Sequence, residues 1–189
     1  MLTTLLKTEK TVFTNKELQQ IFPDIKWTSL AVTLSRYKQT GKILNPQKGI
    51  WTLPVFSVEE LACEIYPKGY VSLETVLYDA GVIFQRYGNS TRVVWNNTRK
   101  KIFQDHQYYA FKLKDEILNN QLNIRTSNNV RKATPERALC DLIYLQKKPQ
   151  IDNPEFFDNP QSLARFKELL PLYPKTTQNV ISKLIGIKI

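Results

Sequence analysis

The spacing of apolar residues changes twice along the chain, and the changes mark its elements. Leu2, Leu5 and Leu6 form a short apolar opening, followed by Val12-Phe13. Thr14-Asn15 are helix-capping residues ahead of Lys16-Glu17-Leu18-Gln19-Gln20-Ile21-Phe22. Pro23-Asp24 ends that helix, because proline has no N–H and disfavours helical geometry in the residue before it. Thr28 is expected to cap a second helix running to about Thr40, with Gly41 ending it. Ile43-Leu44, the turn Asn45 to Gly49, and Ile50-Trp51-Thr52-Leu53 then read as strand–turn–strand. This order is that of a winged helix-turn-helix, whose second helix enters the major groove of DNA and whose hairpin is the wing.

The two faces of the second helix carry the expectation further. At 100° per residue, Trp27, Leu30, Leu34 and Tyr37 share one quadrant and form the packing face. Thr28, Ser29, Val32, Ser35, Arg36 and Gln39 lie opposite, with Thr33 at their margin. Short polar groups there suit base edges and phosphates, Val32 suits a thymine methyl, and Arg36 a guanine or a phosphate. Lys42 and Lys48, after the helix and on the wing, complete the candidate DNA-binding set.

From Val55 onward the pattern differs, so the sequence divides into residues 1–54 and 55–189. Ser57 caps a linking helix over Val58 to Ile65, and Pro67-Lys68-Gly69-Tyr70 reads as a turn. Ser72 is expected to cap a helix over Leu73 to Ala80. Short-period segments follow at 91–95, 101–104, 107–113 and 123–126, separated by turn residues. Thr134, Pro135 and Glu136 then start a strong helix, with helices near 161–170 and 177–185 after it. The fold class is therefore α+β: a winged helix-turn-helix, then an α+β domain with a small antiparallel sheet flanked by helices.

Charge narrows the partner. The 189 residues carry a formal net charge of +10, which suits a polyanion. Residues 1–54 hold eight basic against three acidic side chains, half of that excess in under a third of the length. A second basic group, Arg92, Arg99, Lys100 and Lys101, is interleaved with Trp95, Phe103, Tyr108, Tyr109 and Phe111. It reads either as core aromatics or as a second nucleic-acid surface, along the same DNA or on RNA.

Catalytic chemistry is weakly represented, and no enzymatic activity is expected. The single histidine, His106, falls in an expected solvated turn, and no GxSxG, HExxH or Gly-rich phosphate loop occurs. Asp152, Glu155 and Asp158 sit in a Pro/Asn-rich loop. Cys63 and Cys140 lack metal-ligand spacing and read as buried thiols, so neither a metal nor a cofactor is expected. The first residues lack a secretory leader pattern and no apolar run is long enough to span a bilayer, pointing to a cytoplasmic protein without membrane contact.

Three segments resemble a known family. They are Gly49-Ile50-Trp51-Thr52-Leu53-Pro54, Gly69-Tyr70-Val71-Ser72-Leu73-Glu74-Thr75-Val76-Leu77, and Ala133-Thr134-Pro135-Glu136-Arg137-Ala138-Leu139-Cys140-Asp141-Leu142. Their order and spacing resemble the AbiEi antitoxins of bacterial type IV toxin–antitoxin systems. The resemblance implies an autorepressor that binds operator repeats in double-stranded DNA through its first domain. It also implies a second domain that counters a nucleotidyltransferase-like toxin, not necessarily in a stable complex. A stand-alone winged-helix regulator is the alternative, and a carboxylate nuclease using Glu136 or Asp141 a more distant one.

Within the third segment, Arg137, Asp141, Tyr144 and Lys148 form one stripe on the helical wheel and are expected to face outward. That stripe is either an i,i+4 ion pair on a solvated face or a contact surface for protein or nucleic acid.

Overall fold

The computed structural model describes residues 1–85, 87–146 and 149–186. The chain divides into two compact units, Met1–Pro67 and Lys68–Ile189.

In the first unit the order is α1 (Leu2–Leu6), β1 (Val12–Thr14), α2 (Asn15–Ile21), α3 (Trp27–Gln39), β2 (Leu44–Gln47), β3 (Ile50–Thr52) and α4 (Val58–Ile65). The three strands form an antiparallel sheet in the order β1-β3-β2. Leu5, Phe13, Leu18, Leu30, Leu34, Ile43 and Leu53 form its core, so α1, β1, α2 and α3 all contribute, and Ile43 and Leu53 flank the β2–β3 hairpin. Helix α2 starts where the sequence demands: Thr14 accepts from the Glu17 N–H, and the Glu17 carboxylate accepts in return from the Thr14 N–H. Helix α3 starts two residues earlier than expected. Lys26 is its N-cap, without a side-chain cap, and Thr28 lies exposed within the first turn.

The boundary falls later than the one expected at Pro54, because α4 belongs to the first unit. The Glu60 carboxylate accepts from the Thr11 N–H (3.0 Å) and hydroxyl (2.6 Å), and Lys10 bonds both Glu17 and Glu64. This redistributes the charge. Glu59, Glu60 and Glu64 bring the first unit to eight basic against six acidic residues, a net of +2, which leaves +8 on the second.

The second unit contains β4 (Tyr70–Val71), α5 (Leu73–Asp79), β5 (Ser90–Trp95), β6 (Arg99–Phe103), β7 (His106–Lys112), α6 (Asp115–Leu118), β8 (Ile124–Ser127), β9 (Val130–Ala133), α7 (Pro135–Leu145), α8 (Pro160–Leu169) and α9 (Lys175–Ile185). Two 3-10 turns occupy Pro154–Phe157 and Leu170–Leu172. Its sheet is larger than the small antiparallel one expected: six strands in the order β6-β7-β5-β4-β9-β8. It is also mixed, since β5–β7 and β4–β9 pair in parallel. The parallel β5–β7 pair joins two expected strands, with β6 at the edge beyond β7, and the rest of the difference lies in two unexpected strands. Strand β4 begins at Tyr70, expected to end a turn, and pairs with both β5 and β9, and β9 is the return strand of a hairpin. That hairpin turns at Asn128-Asn129, both at positive φ (+47° and +62°), as asparagine permits. No described helix is long and apolar enough to cross a membrane.

Candidate nucleic-acid interface

Helix α3 has two unlike faces. Leu30 and Leu34 are fully buried, while Thr28, Ser29, Ser35, Arg36 and Gln39 are exposed and Thr33 is half-buried. Val32 stands 60% exposed among them, an apolar side chain without cover. Trp27, assigned to the packing face, is instead 38% exposed. The Thr33 hydroxyl donates to the Ser29 carbonyl at 3.0 Å. Lys42, just beyond the helix, is exposed with its Nζ 5.7 Å from the Tyr37 ring centre.

The β2–β3 hairpin is fixed to the start of α2. The Asn15 N–H donates to the Gly49 carbonyl at 3.0 Å, and Trp51 Nε1 donates to Asn15 Oδ1 at 2.8 Å. Gly49 has φ +86°, a conformation that glycine adopts without strain. Lys48 is exposed at the tip beside it. Lys42 and Lys48 are thus presented by ordered backbone, not by a loose loop.

In the second unit the expected outward stripe is overturned. Arg137 and Asp141 have no exposed side-chain surface, Tyr144 is half-buried, and Lys148 lies outside the described residues. Every residue of α7 from Glu136 to Ile143 is buried, so its polar side meets protein as completely as its apolar side. Arg137 Nε donates to Asp141 Oδ1 (3.3 Å), and its other nitrogens donate to the Tyr70 hydroxyl (2.7 Å) and to the carbonyls of Ile117 (2.6 Å) and Leu122 (3.2 Å). Asp141 also accepts from the hydroxyls of Tyr70 (3.0 Å), Ser72 (2.8 Å) and Tyr173 (2.7 Å). Burial pushes the Asp141 carboxyl upward, opposed by the Arg137 charge and these three donors. Four groups donating into one carboxylate hold it as an acceptor, and the guanidinium beside it stays charged although burial opposes that.

Ser72 therefore does not cap α5: its hydroxyl is turned to Asp141, and the helix start has no side-chain cap. Glu136 is held nearby. Burial disfavours its charge, but hydrogen bonds from Ser162 and Thr134 and the charge of Arg165 outweigh that and keep its carboxyl below the usual range. Two of the three recognised segments, 69–77 and 133–142, thus meet in one buried polar network. Neither Arg137 nor Asp141 can contact a macromolecule in this fold.

The second basic group is only partly assembled. Lys100 and Arg92 both pair with Tyr109, from β6 and β5, and so share its face of the sheet. Arg92 is bound to Glu74 (3.3 Å) and sits 4.7 to 5.7 Å from the ring centres of Tyr87, Tyr109 and Phe111. Lys101 pairs with Tyr108 and turns to the other face, and Arg99 is exposed at the start of the edge strand. Trp95, Phe103 and Phe111 are half-buried and Tyr108 is fully buried, so the aromatics divide between platform and core. Sequence reasoning missed Tyr87 and Glu74 here, because both lie outside the strand that displays the basic residues.

His106 is not in a solvated turn. It begins β7, buried, with Nε2 2.9 Å from the Thr91 hydroxyl and Nδ1 2.7 Å from Asn89 Oδ1. Cys140 is buried with its thiol pushed well up by desolvation, and Cys63 is half-buried. Among the described residues no group of three or more His, Cys, Asp or Glu is placed to hold a metal.

Together these features define a two-unit α and β protein with an exposed polar helix face and a basic, aromatic sheet face. No protein-family model and no curated protein matches the chain. Among solved structures it is similar to the RV2827C protein from Mycobacterium tuberculosis, with 13% identity and a TM-score of 0.57. The match covers 98% of this chain and 74% of that one, and it bears on the fold alone.

Proposed function

We propose that the first unit is a winged helix-turn-helix that reads double-stranded DNA through α3, and that the protein is a transcriptional repressor. The observation that carries this is Val32. A helix with Leu30 and Leu34 buried has no packing use for an apolar side chain 60% exposed on its other face. Flanked by Ser29, Ser35 and Arg36, it forms the mixed apolar and hydrogen-bonding row that suits a major-groove edge.

The test is a selection of preferred duplexes. Arg36→Ala should lose roughly 1–3 kcal/mol on the preferred site and relax one base position, whereas Lys48→Ala should weaken all sequences about equally. If both variants lower binding to preferred and random DNA alike, α3 is not the reader.

The likeness to AbiEi antitoxins extends the proposal. On that reading the repressor acts on its own operator repeats, and the second unit counters a nucleotidyltransferase-like toxin encoded beside it. The support is the order of the three segments, two of which frame the second unit from within. On this reading the protein acts by binding, and the two carboxylates of a nuclease alternative are engaged within the fold: Asp141 lies under four donors and Glu136 under Ser162 and Arg165. A growth assay with the neighbouring toxin tests this. Rescue supports it, and folded protein without rescue leaves the repressor alone.

A further inference from the structure

The second unit carries a net charge of +8, and the open face of β5–β7–β6 presents Lys100 and Arg92 beside aromatic rings. The register brings Ser90 and Ile102 beside Gln107, and Arg92 and Lys100 beside Tyr109, all on one face. Along β7 the residues of the opposite face, His106, Tyr108 and Ala110, are buried, whereas Gln107, Tyr109 and Phe111 are half-buried. Ile102 is 59% exposed and Tyr87, on the loop leading into β5, is 43% exposed.

From this arrangement we infer that the β5–β7–β6 face binds single-stranded RNA. Tyr87 and Tyr109 are the stacking platforms, and Lys100, paired with Tyr109, meets the phosphates. Arg92 is a positioning residue: anchored by Glu74, it packs against Tyr87, Tyr109 and Phe111 and fixes the rings before a base arrives. The rings select an unpaired strand, because bases inside a duplex present only edges, whereas every unstacked base has a face to offer. Lys100 Nζ lies 5.1 Å from the Tyr109 ring centre on an exposed edge strand, so it can leave the ring for a phosphate while a base takes its place. The Gln107 amide, whose Oε1 accepts from the Tyr109 hydroxyl, and the Ser90 oxygen, whose hydroxyl donates to the Tyr87 carbonyl, can still offer an N–H and a lone pair to the 2′-hydroxyl, which makes RNA and not DNA the strand.

The inference stands apart from the α3 reading, and one set of variants separates them. The full-length protein is titrated with a fluorescent twelve-nucleotide oligouridylate and with its oligothymidylate counterpart, in the presence of unlabelled duplex DNA. The RNA should bind with salt-dependent affinity and more tightly than the DNA strand. Tyr109→Leu and Lys100→Ala should each weaken it, the first by about tenfold or more. Tyr109→Phe, which keeps the ring, should remain within a few-fold of wild type, and Arg36→Ala should change duplex binding alone. Circular dichroism establishes that each variant is folded. RNA binding unaffected by Tyr109→Leu and Lys100→Ala, no RNA binding at low salt, or equal binding of the DNA strand would each overturn the assignment.

Discussion

Arg137 and Asp141, one turn apart on α7, are joined by a hydrogen bond of 3.3 Å and have no exposed side-chain surface. An i,i+4 pair of this kind on a helix surface contributes tenths of a kcal/mol. Here it ties Tyr70, Ser72 and Tyr173 and the carbonyls around Ile117 and Leu122 to one helix.

Removing one partner strands the other as a buried charge. Arg137→Met should therefore cost about 3–5 kcal/mol, and Asp141→Leu a similar amount. Urea unfolding of the full-length protein measures this. A loss below about 1 kcal/mol would mean that the pair is solvated.

The start of α2 gives a smaller, local test. Thr14→Ala removes the acceptor for the Glu17 N–H and should destabilise the first unit by about 1 kcal/mol. The same substitution should leave unfolding of the second unit unchanged, as read by the near-ultraviolet dichroism of its tyrosines.

Alkali should destabilise the protein from about pH 10 upward. Burial raises the hydroxyls of Tyr70 and Tyr173 well above their ordinary 10.0 and pushes Tyr66 up to about 12. Lys10 is also raised above 10.5: burial opposes this, but hydrogen bonds and charge from Glu17 and Glu64 prevail. The folded state thus holds these protons where the unfolded chain releases them. The associated stability is complete below pH 10 and is lost as pH climbs through the folded values. A urea midpoint that stays level from pH 9 to pH 12 would contradict this.

The unit boundary predicts how fragments behave. Residues 1–67 should fold cooperatively, whereas residues 1–54 lack Glu60 and Glu64 and leave Thr11 and Lys10 without those partners. Thermal melts should show a lower midpoint for the shorter piece. Equal midpoints would place α4 outside the unit.

The sequence was legible where a local rule acts within a few residues. Thr14, Ser57 and Thr134 cap the helices assigned to them, and β5 and β7 fall within one residue of the segments assigned to them. It failed where partners are distant. A helical wheel sorts residues by polarity and assumes that the polar side meets water. In α7 that side meets Tyr70, 67 residues from Arg137 and 71 from Asp141, as well as Tyr173. Ser72 looks like a cap in sequence because nothing nearby reveals that Asp141 will claim its hydroxyl. Strand β4 has two residues, too few for any period, yet it joins the halves of the sheet. Asn128-Asn129, both at positive φ, is the local signal in the sequence that marks the β8–β9 hairpin.

At the candidate interface, the exposed row on α3 was readable from the helical wheel, because Leu30 and Leu34 fix which side is inward. The Tyr87–Arg92–Glu74 assembly was not, since it draws on a loop, a strand and a helix. The same holds for charge. The excess assigned to residues 1–54 is largely offset by three glutamates whose membership only packing could decide.

The reading of DNA by α3 is tested most directly by comparing a selected duplex with a shuffled one across a salt series. Phosphate contacts weaken with salt at a log–log slope of about −0.9 per phosphate neutralised, whereas base-edge contacts persist. The full-length protein should bind both duplexes with a clearly negative slope and keep its preference for the selected one as salt rises. Equal affinities at every salt concentration, or a slope near zero, would contradict sequence reading by this helix.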